Sequence, residues 1–328
     1  MSHQARPRHV IVDVVLAIVA PGQGAQTPGF LASWLTLPHF ADRLAWFSAV
    51  TTLDLAHYGT AADAETIRDT AIAQPLLVAA ALATAAELLE GTPVPPDTLV
   101  AGHSVGEIAA AALAGAISTE SALVLVRERG RAMAEASAAR PTSMTAVVGG
   151  DRDEVLAAIA ACGLTAANNN GPGQIVAAGL VDQLERLADN PPARARLIPL
   201  SVAGAFHTEH MRSAVDHLRH LAASVPTAPA SAVLLSNRDG AVVVDGADYL
   251  GRVVDQVAHP VRWDLCMTTL LDQGVSGMLE LAPAGTLTGI ARRQMKGVET
   301  FNLNSPDQLD AAREFVARHR APITTPAE

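Results

Sequence analysis

A serine sits between two glycines in Gly102-His103-Ser104-Val105-Gly106-Glu107, and a hydroxyl in that spacing points to nucleophilic acyl chemistry. Residues 97–101 read as a short buried strand before it and residues 107–113 as a helix after it, so Ser104 falls on a strand-to-helix corner. The glycines remove β-carbons that would block so sharp a turn, which leaves the hydroxyl outward and backbone N–H groups converging beside it. A serine hydroxyl attacks only when a neighbouring base takes its proton. Of the 11 histidines, His103 is adjacent, but its side chain is expected to point away along the chain, where it lines a pocket or makes a hydrogen bond. His207, in Gly204-Ala205-Phe206-His207, lies where a compact segment returns to the main sheet, and clefts form at such junctions. By position alone a satisfied structural histidine is the simpler reading of it.

The elements that must position these groups are legible in the apolar pattern. Residues 14–20 form a continuous apolar run ended by Pro21-Gly22, the signature of a central parallel strand buried on both faces. An alanine- and leucine-rich helix is predicted from Pro75 to Glu90 with its proline in the first turn, and another over residues 119–139 capped by Ser118. From Pro141 the elements shorten: strand 144–148, helix 152–161, strand 164–167, strand 174–178, helix 181–188, strand 196–202. That order, β-α-β-β-α-β, is the ferredoxin-like motif. Longer periods then return with a helix over 209–223, a strand at 233–236, a helix after Pro260 and a strand at 277–281. The fold class is therefore α/β: a large hydrolase-like domain (10–140 and 204–317) with a parallel sheet and a nucleophile elbow, plus an inserted ferredoxin-like subdomain (141–203). Residues 1–9 and 318–328 read as disordered tails.

Composition excludes several functions. The 328-residue chain is 49% hydrophobic with a net charge of −10 and scattered basic residues, so no nucleic-acid partner is expected. The apolar stretch 10–20 is interrupted by Asp13 and is far shorter than the roughly 20 residues a spanning helix needs, so no membrane partner and a cytoplasmic location are expected. Cys162 and Cys266 lack metal or redox spacing and read as two buried thiols; His210, His217 and His220 lack acidic or cysteine co-ligands and read as exposed. Gly22 and Gly24 lack the third glycine of a nucleotide fingerprint. No metal and no cofactor are expected. A serine–aspartate hydrolase using Asp239 is a rival, although Ser236 to Gly240 is also ordinary turn chemistry. A non-catalytic docking module is another.

Six segments together resemble the malonyl-CoA:acyl carrier protein transacylase family: Pro21-Gly22-Gln23-Gly24-Ala25-Gln26, the Ser104 hexapeptide, Arg129-Gly130, Asn170-Gly171-Pro172-Gly173-Gln174, Gly204 to His207, and Gln256 through Pro260-Val261-Arg262-Trp263. They occur in the family's order from Val14 to about Ile290. The resemblance implies that Ser104 attacks a thioester and that His207 is its base, with the backbone carbonyl near Gln256 orienting the ring in place of an aspartate. It implies backbone oxyanion donors at Gln23 and Val105, and Arg129 as the anchor for a malonyl carboxylate. His103, Asn170 and Phe206 would line the substrate site. The partners it implies are malonyl-CoA and a phosphopantetheinylated acyl carrier protein, in fatty acid or polyketide synthesis. An acidic carrier requires a basic patch, and Arg292, Arg293 and Lys296 form one candidate, Arg194 with Arg196 another. Arg127 and Arg131 are expected to be ordinary surface ion pairs.

Overall fold

The structure, a computed structural model, describes residues 15–320. Ten strands run in chain order as β1 (Val15–Ala20), β2 (Leu99–Gly102), β3 (Thr142–Gly149), β4 (Thr165–Asn169), β5 (Gln174–Leu180), β6 (Ala195–Pro199), β7 (Val233–Leu234), β8 (Val261–Arg262), β9 (Val275–Glu280) and β10 (Glu299–Asn302). They form two sheets. The first is wholly parallel in the order β10-β9-β1-β2-β7, so the apolar run that ends at Pro21 is central, as its composition required. Period-2 alternation divides its side chains between two cores: Leu16, Ile18 and Val100 pack on one face, Ala17, Val19, Leu99 and Ala101 on the other.

The second sheet has the order β6-β3-β5-β4-β8, and its first four strands pair antiparallel as β-α-β-β-α-β. Its own small core is built around Val147, Ile159, Ile175 and Leu187. The fifth strand was not expected. Asn168 and Asn169 pair in parallel with Val261 and Arg262, so β8, far along the chain, stitches the second sheet to the segment that follows Gln256.

Other departures from the sequence reading have local causes. The alanine-rich helix spans Thr70–Leu88 and carries Pro75 inside it, because the Asp69 side chain caps it by accepting from the Ala71 N–H. Gly130 on the neighbouring helix permits this, since a β-carbon there would lie 2.8 Å from the Thr70 carbonyl oxygen and 3.5 Å from the Pro75 ring. This helix is long and apolar enough to cross a membrane, but 78% of its most apolar window is buried inside the fold, as a core helix. The helices at Pro38–Thr51, Leu55–Thr60, Gly246–Asp255 and Leu309–Arg318 were not expected from the sequence, although the last two are clearly amphipathic. Cys162 is only half-buried, at the open end of the Arg152–Ala161 helix, whereas Cys266 is buried. The disorder expected from residue 318 is not found at the first residues of that stretch: Arg318 closes a helix and pairs with Glu299, and His319 is buried between Ser276 and Glu299. The expected tail 1–9, the domain start at residue 10, Val14 and residues 321–328 lie outside the described residues.

Candidate active site

Strand β2 ends at Gly102 and a helix begins at Gly106, leaving three residues to reverse the backbone. A β-carbon on Gly102 would lie 2.0 Å from the Gly106 carbonyl carbon, and one on Gly106 would lie 2.4 Å from the Ala20 carbonyl oxygen. Only glycine fits at either place. The neighbouring end of β1 steadies the corner, because the His103 N–H donates to the Ala20 carbonyl at 3.0 Å. Ser104 occupies the left-handed region at φ 54°, an uncommon conformation for a non-glycine residue and a mark of a strained functional turn.

His207 also has a positive φ, 61°, and is 3% exposed. Its loop is pinned on three sides: the Ala205 N–H donates to Thr142 Oγ1, the His207 N–H donates to the Val257 carbonyl, and Thr208 Oγ1 donates to the Ala205 carbonyl. The ring is thereby delivered to the elbow. Ser104 Oγ lies 2.7 Å from His207 Nε2, and His207 Nδ1 lies 2.9 Å from the Gln256 carbonyl oxygen. A carbonyl only accepts, so Nδ1 carries the hydrogen and Nε2 presents its lone pair to the hydroxyl. Burial, with the Arg129 charge adding to it, pushes the His207 pKa down to about 3, against the opposing pull of the Gln256 carbonyl. The neutral ring is the form a general base requires.

Arg129 is 2% exposed although it sits on a helix whose neighbours Arg127 and Arg131 pair with Glu128 at the surface. Its Nη1 donates to Gln74 Oε1 at 2.7 Å, and its Nη2 lies 3.3 Å from Ser104 Oγ. Buried Nε has no acceptor among the described residues. Nε and Nη2 share one edge of the guanidinium, and that edge is the one that accepts a carboxylate bidentately. Burial pushes the Arg129 pKa down to about 10, with Glu107 opposing, so the group stays charged at neutral pH.

The N–H groups of Gln23 and Val105 have no protein acceptor among the described residues. The Gln23 side chain is held by Thr70 Oγ1 at 3.3 Å and by the Arg68 carbonyl at 3.5 Å, and its Oε1 accepts from Gln74 Nε2. His103 Nε2 lies 2.9 Å from Asn170 Oδ1, and the His103 ring meets Trp263 edge-on. Loss of water around the His103 ring lowers its pKa, against the Asn170 bond. Phe206 is buried in the larger core beside the His207 loop. A cleft of about 820 Å³, lined by Arg68, Thr70, Ser137 and residues 201–203, meets the site only through Arg68 and Thr70, which hold the Gln23 side chain; Ser104, His207 and Arg129 do not line it.

Asp239 does not compete for the serine. It is bound to Arg252 at 2.9 Å and stays largely exposed in the turn. Sequence reasoning missed three buried residues of the site: Gln74, which holds Arg129, and Glu107 and Asn237, which lie behind the elbow. A lone glutamine and a lone glutamate on otherwise apolar helices were the available signals.

A parallel sheet with an elbow serine at the end of a strand beside the central one, carrying a second βαββαβ sheet, defines the acyl transferase class, and residues 18–316 match the acyl transferase domain family. The malonyl CoA-acyl carrier protein transacylase of Mycobacterium tuberculosis (strain ATCC 25618 / H37Rv) is 50% identical over 297 residues, 90% of this chain and 98% of that one. That of Bacillus subtilis (strain 168) is 32% identical over 307 residues, 90% and 96% of the two chains. Among solved structures, the M. tuberculosis enzyme superposes with a TM-score of 0.87 at 49% identity, covering 91% of this chain and 99% of that one. A malonyl transacylase in complex with a holo type II polyketide acyl carrier protein superposes with a TM-score of 0.85 at 30% identity, covering 92% and 99%. The chain belongs to the malonyl-CoA:acyl carrier protein transacylase family.

Proposed function

We propose that the protein moves a malonyl group from malonyl-CoA to the phosphopantetheine thiol of an acyl carrier protein through an ester on Ser104, for fatty acid or polyketide synthesis. The single observation that carries the malonyl assignment is the buried Nε and Nη2 edge of Arg129 beside the nucleophile. Malonyl offers a carboxylate to that edge and acetyl offers a methyl group.

In the first half-reaction Ser104 Oγ attacks the thioester carbonyl as His207 Nε2 takes its proton, and the same nitrogen returns that proton to the departing CoA thiolate. The Gln23 and Val105 N–H groups stabilise the tetrahedral oxyanion, each contributing roughly 2.7–4 kcal/mol where such a donor has been removed from other enzymes. In the second half-reaction the carrier thiol gives its proton to Nε2 and attacks the ester, and Ser104 leaves with that proton. A backbone carbonyl suffices to orient the ring, so no third carboxylate is needed. His103, Asn170 and Phe206 shape the acyl pocket. Exposed Arg292, Arg293 and Lys296 have no acidic partner among the described residues and flank Gln294, which donates to the Asn170 carbonyl. That face, close to the site, suits an acidic carrier. Both substrates are cytoplasmic reagents, and we place the protein in that compartment.

Arg129→Ala tests the assignment. Two charge-assisted hydrogen bonds at roughly 1.5–3 kcal/mol each predict a fall in kcat/KM for malonyl-CoA of about 10²-fold or more, with acetyl-CoA changed by less than about threefold. Steady-state transfer to holo carrier protein with both thioesters measures the ratio; an equal loss for both removes Arg129 from selectivity.

The pH profile follows from the base. With the His207 pKa near 3, the imidazole stays neutral as pH falls through the ordinary histidine value of 6.5. The acid limb of kcat/KM for malonyl-CoA is therefore expected below about pH 5, with a flat profile up to about pH 8. Half-loss near pH 6.5 contradicts it.

A further inference from the structure

We propose, resting on the reading of Ser104 as the nucleophile, that Asn237 is a positioning residue that holds the elbow in its strained geometry, with Glu107 as the buried acceptor that fixes Asn237. The positions form a ladder. The Val233 N–H donates to the Thr98 carbonyl and the Leu235 N–H donates to the Val100 carbonyl, so a regular sheet would next pair the Asn237 N–H with the Gly102 carbonyl. That rung is made by the side chain instead. Asn237 Nδ2 donates to the Gly102 carbonyl at 2.8 Å while its Oδ1 accepts from the Ser104 N–H at 2.8 Å.

One flat amide thus spans residues 102 and 104 as a neighbouring strand's peptide group would, at the place where the main chain must leave the sheet. A side chain can do this where backbone cannot, because it serves Ser104 at φ 54° without following the turn. The Asn237 main-chain N–H, released from the ladder, donates to Glu107 Oε1 at 2.7 Å, and its carbonyl accepts from the Arg262 N–H at 2.8 Å. Asn237 is fully buried and Glu107 1% exposed. Burial pushes the Glu107 carboxyl up to about 8, so at neutral pH it accepts this bond without placing a full charge behind the nucleophile. A sparsely populated backbone conformation persists only where its surroundings over-determine it, and this network fixes the Ser104 N–H and the Gly102 carbonyl at the start of the turn.

Asn237→Asp keeps the shape and the acceptor for Ser104 but loses the donor to Gly102; Asn237→Ser, smaller, removes the span altogether. Both are assayed as intact chains for melting temperature, for single-turnover malonylation and for labelling by a fluorophosphonate, which needs only the activated hydroxyl. A displacement of the nucleophile by about an ångström is expected to slow both chemical rates by about 10²-fold while KM for malonyl-CoA stays within about threefold. A folded variant with both rates within threefold of the unaltered protein overturns the proposal, as does a raised KM with unchanged kcat or loss of fold in both variants. If the unaltered protein takes the fluorophosphonate but not malonyl, the substrate assignment fails and the labelling rates still decide the role of Asn237.

Discussion

Ser104→Ala is expected to abolish malonyl transfer, with turnover falling by about 10⁶-fold, the scale at which removing the nucleophile of a serine–histidine enzyme leaves only binding and oxyanion stabilisation. No other hydroxyl lies within reach of His207 Nε2, which is bonded to Ser104 Oγ alone among the described residues. The loss must come from chemistry rather than folding. Gly102, Gly106 and the Ser104 main-chain N–H set the corner, and none of them is altered, so the melting temperature is expected to stay within a few degrees of the unaltered value. Arg129 is untouched as well. Malonyl-CoA should therefore still bind, and calorimetric titration into the variant is expected to show a dissociation constant within about threefold of the Km-level affinity of the unaltered protein. Transfer retained at a tenth of the original rate would mean that the acyl group passes between substrates without touching Ser104.

His207→Ala is expected to slow both half-reactions by about 10²- to 10⁴-fold, the span assigned to a positioned general base. Both must fall together if, as proposed, one nitrogen accepts the Ser104 proton in the first step and the carrier thiol proton in the second. The ring is 3% exposed and held at Nδ1 by the Gln256 carbonyl, so no neighbouring imidazole can swing in. His103, next to Ser104 in the sequence, is tied to Asn170. Rapid-quench acylation with malonyl-CoA and a separate chase of the preformed ester with holo carrier protein measure the two rates. Loss confined to one of them would assign the proton transfers to different groups.

The parallel core and the ferredoxin-like insert were legible because their strands obey simple periods. Residues 15–20 are apolar throughout and central, and β3 and β5 are short apolar runs whose two faces are both covered, Met144, Ala146, Val176 and Ala178 by the larger core and Val147, Ile175 and Ala177 by the small one. The elbow was legible for a steric reason, since glycines at 102 and 106 have no other use in so apolar a strand and helix. His207 was not readable from its own surroundings; it is 103 residues from Ser104, and only the likeness to a family joined them. Arg129 posed the same difficulty, because nothing in its helix distinguishes a guanidinium turned inward to Gln74 from Arg127 and Arg131 turned outward to Glu128. Asn237 was hidden inside the turn from Ser236 to Gly240, which is real, and its side chain carries the long-range bond from within that turn. The β8 pairing to β4 was also unreadable. Two residues of strand carry too little pattern to predict a partner 93 positions away.

The central claim is that the acyl group rests on one hydroxyl between two thiols. Incubating the protein with malonyl-CoA alone, quenching in acid and mapping peptides by mass is expected to place one malonyl group on the peptide that carries Ser104, and adding holo carrier protein before the quench is expected to clear it. An unmodified Ser104 peptide in protein that still transfers malonyl, or a malonyl group that the carrier cannot remove, would contradict the account.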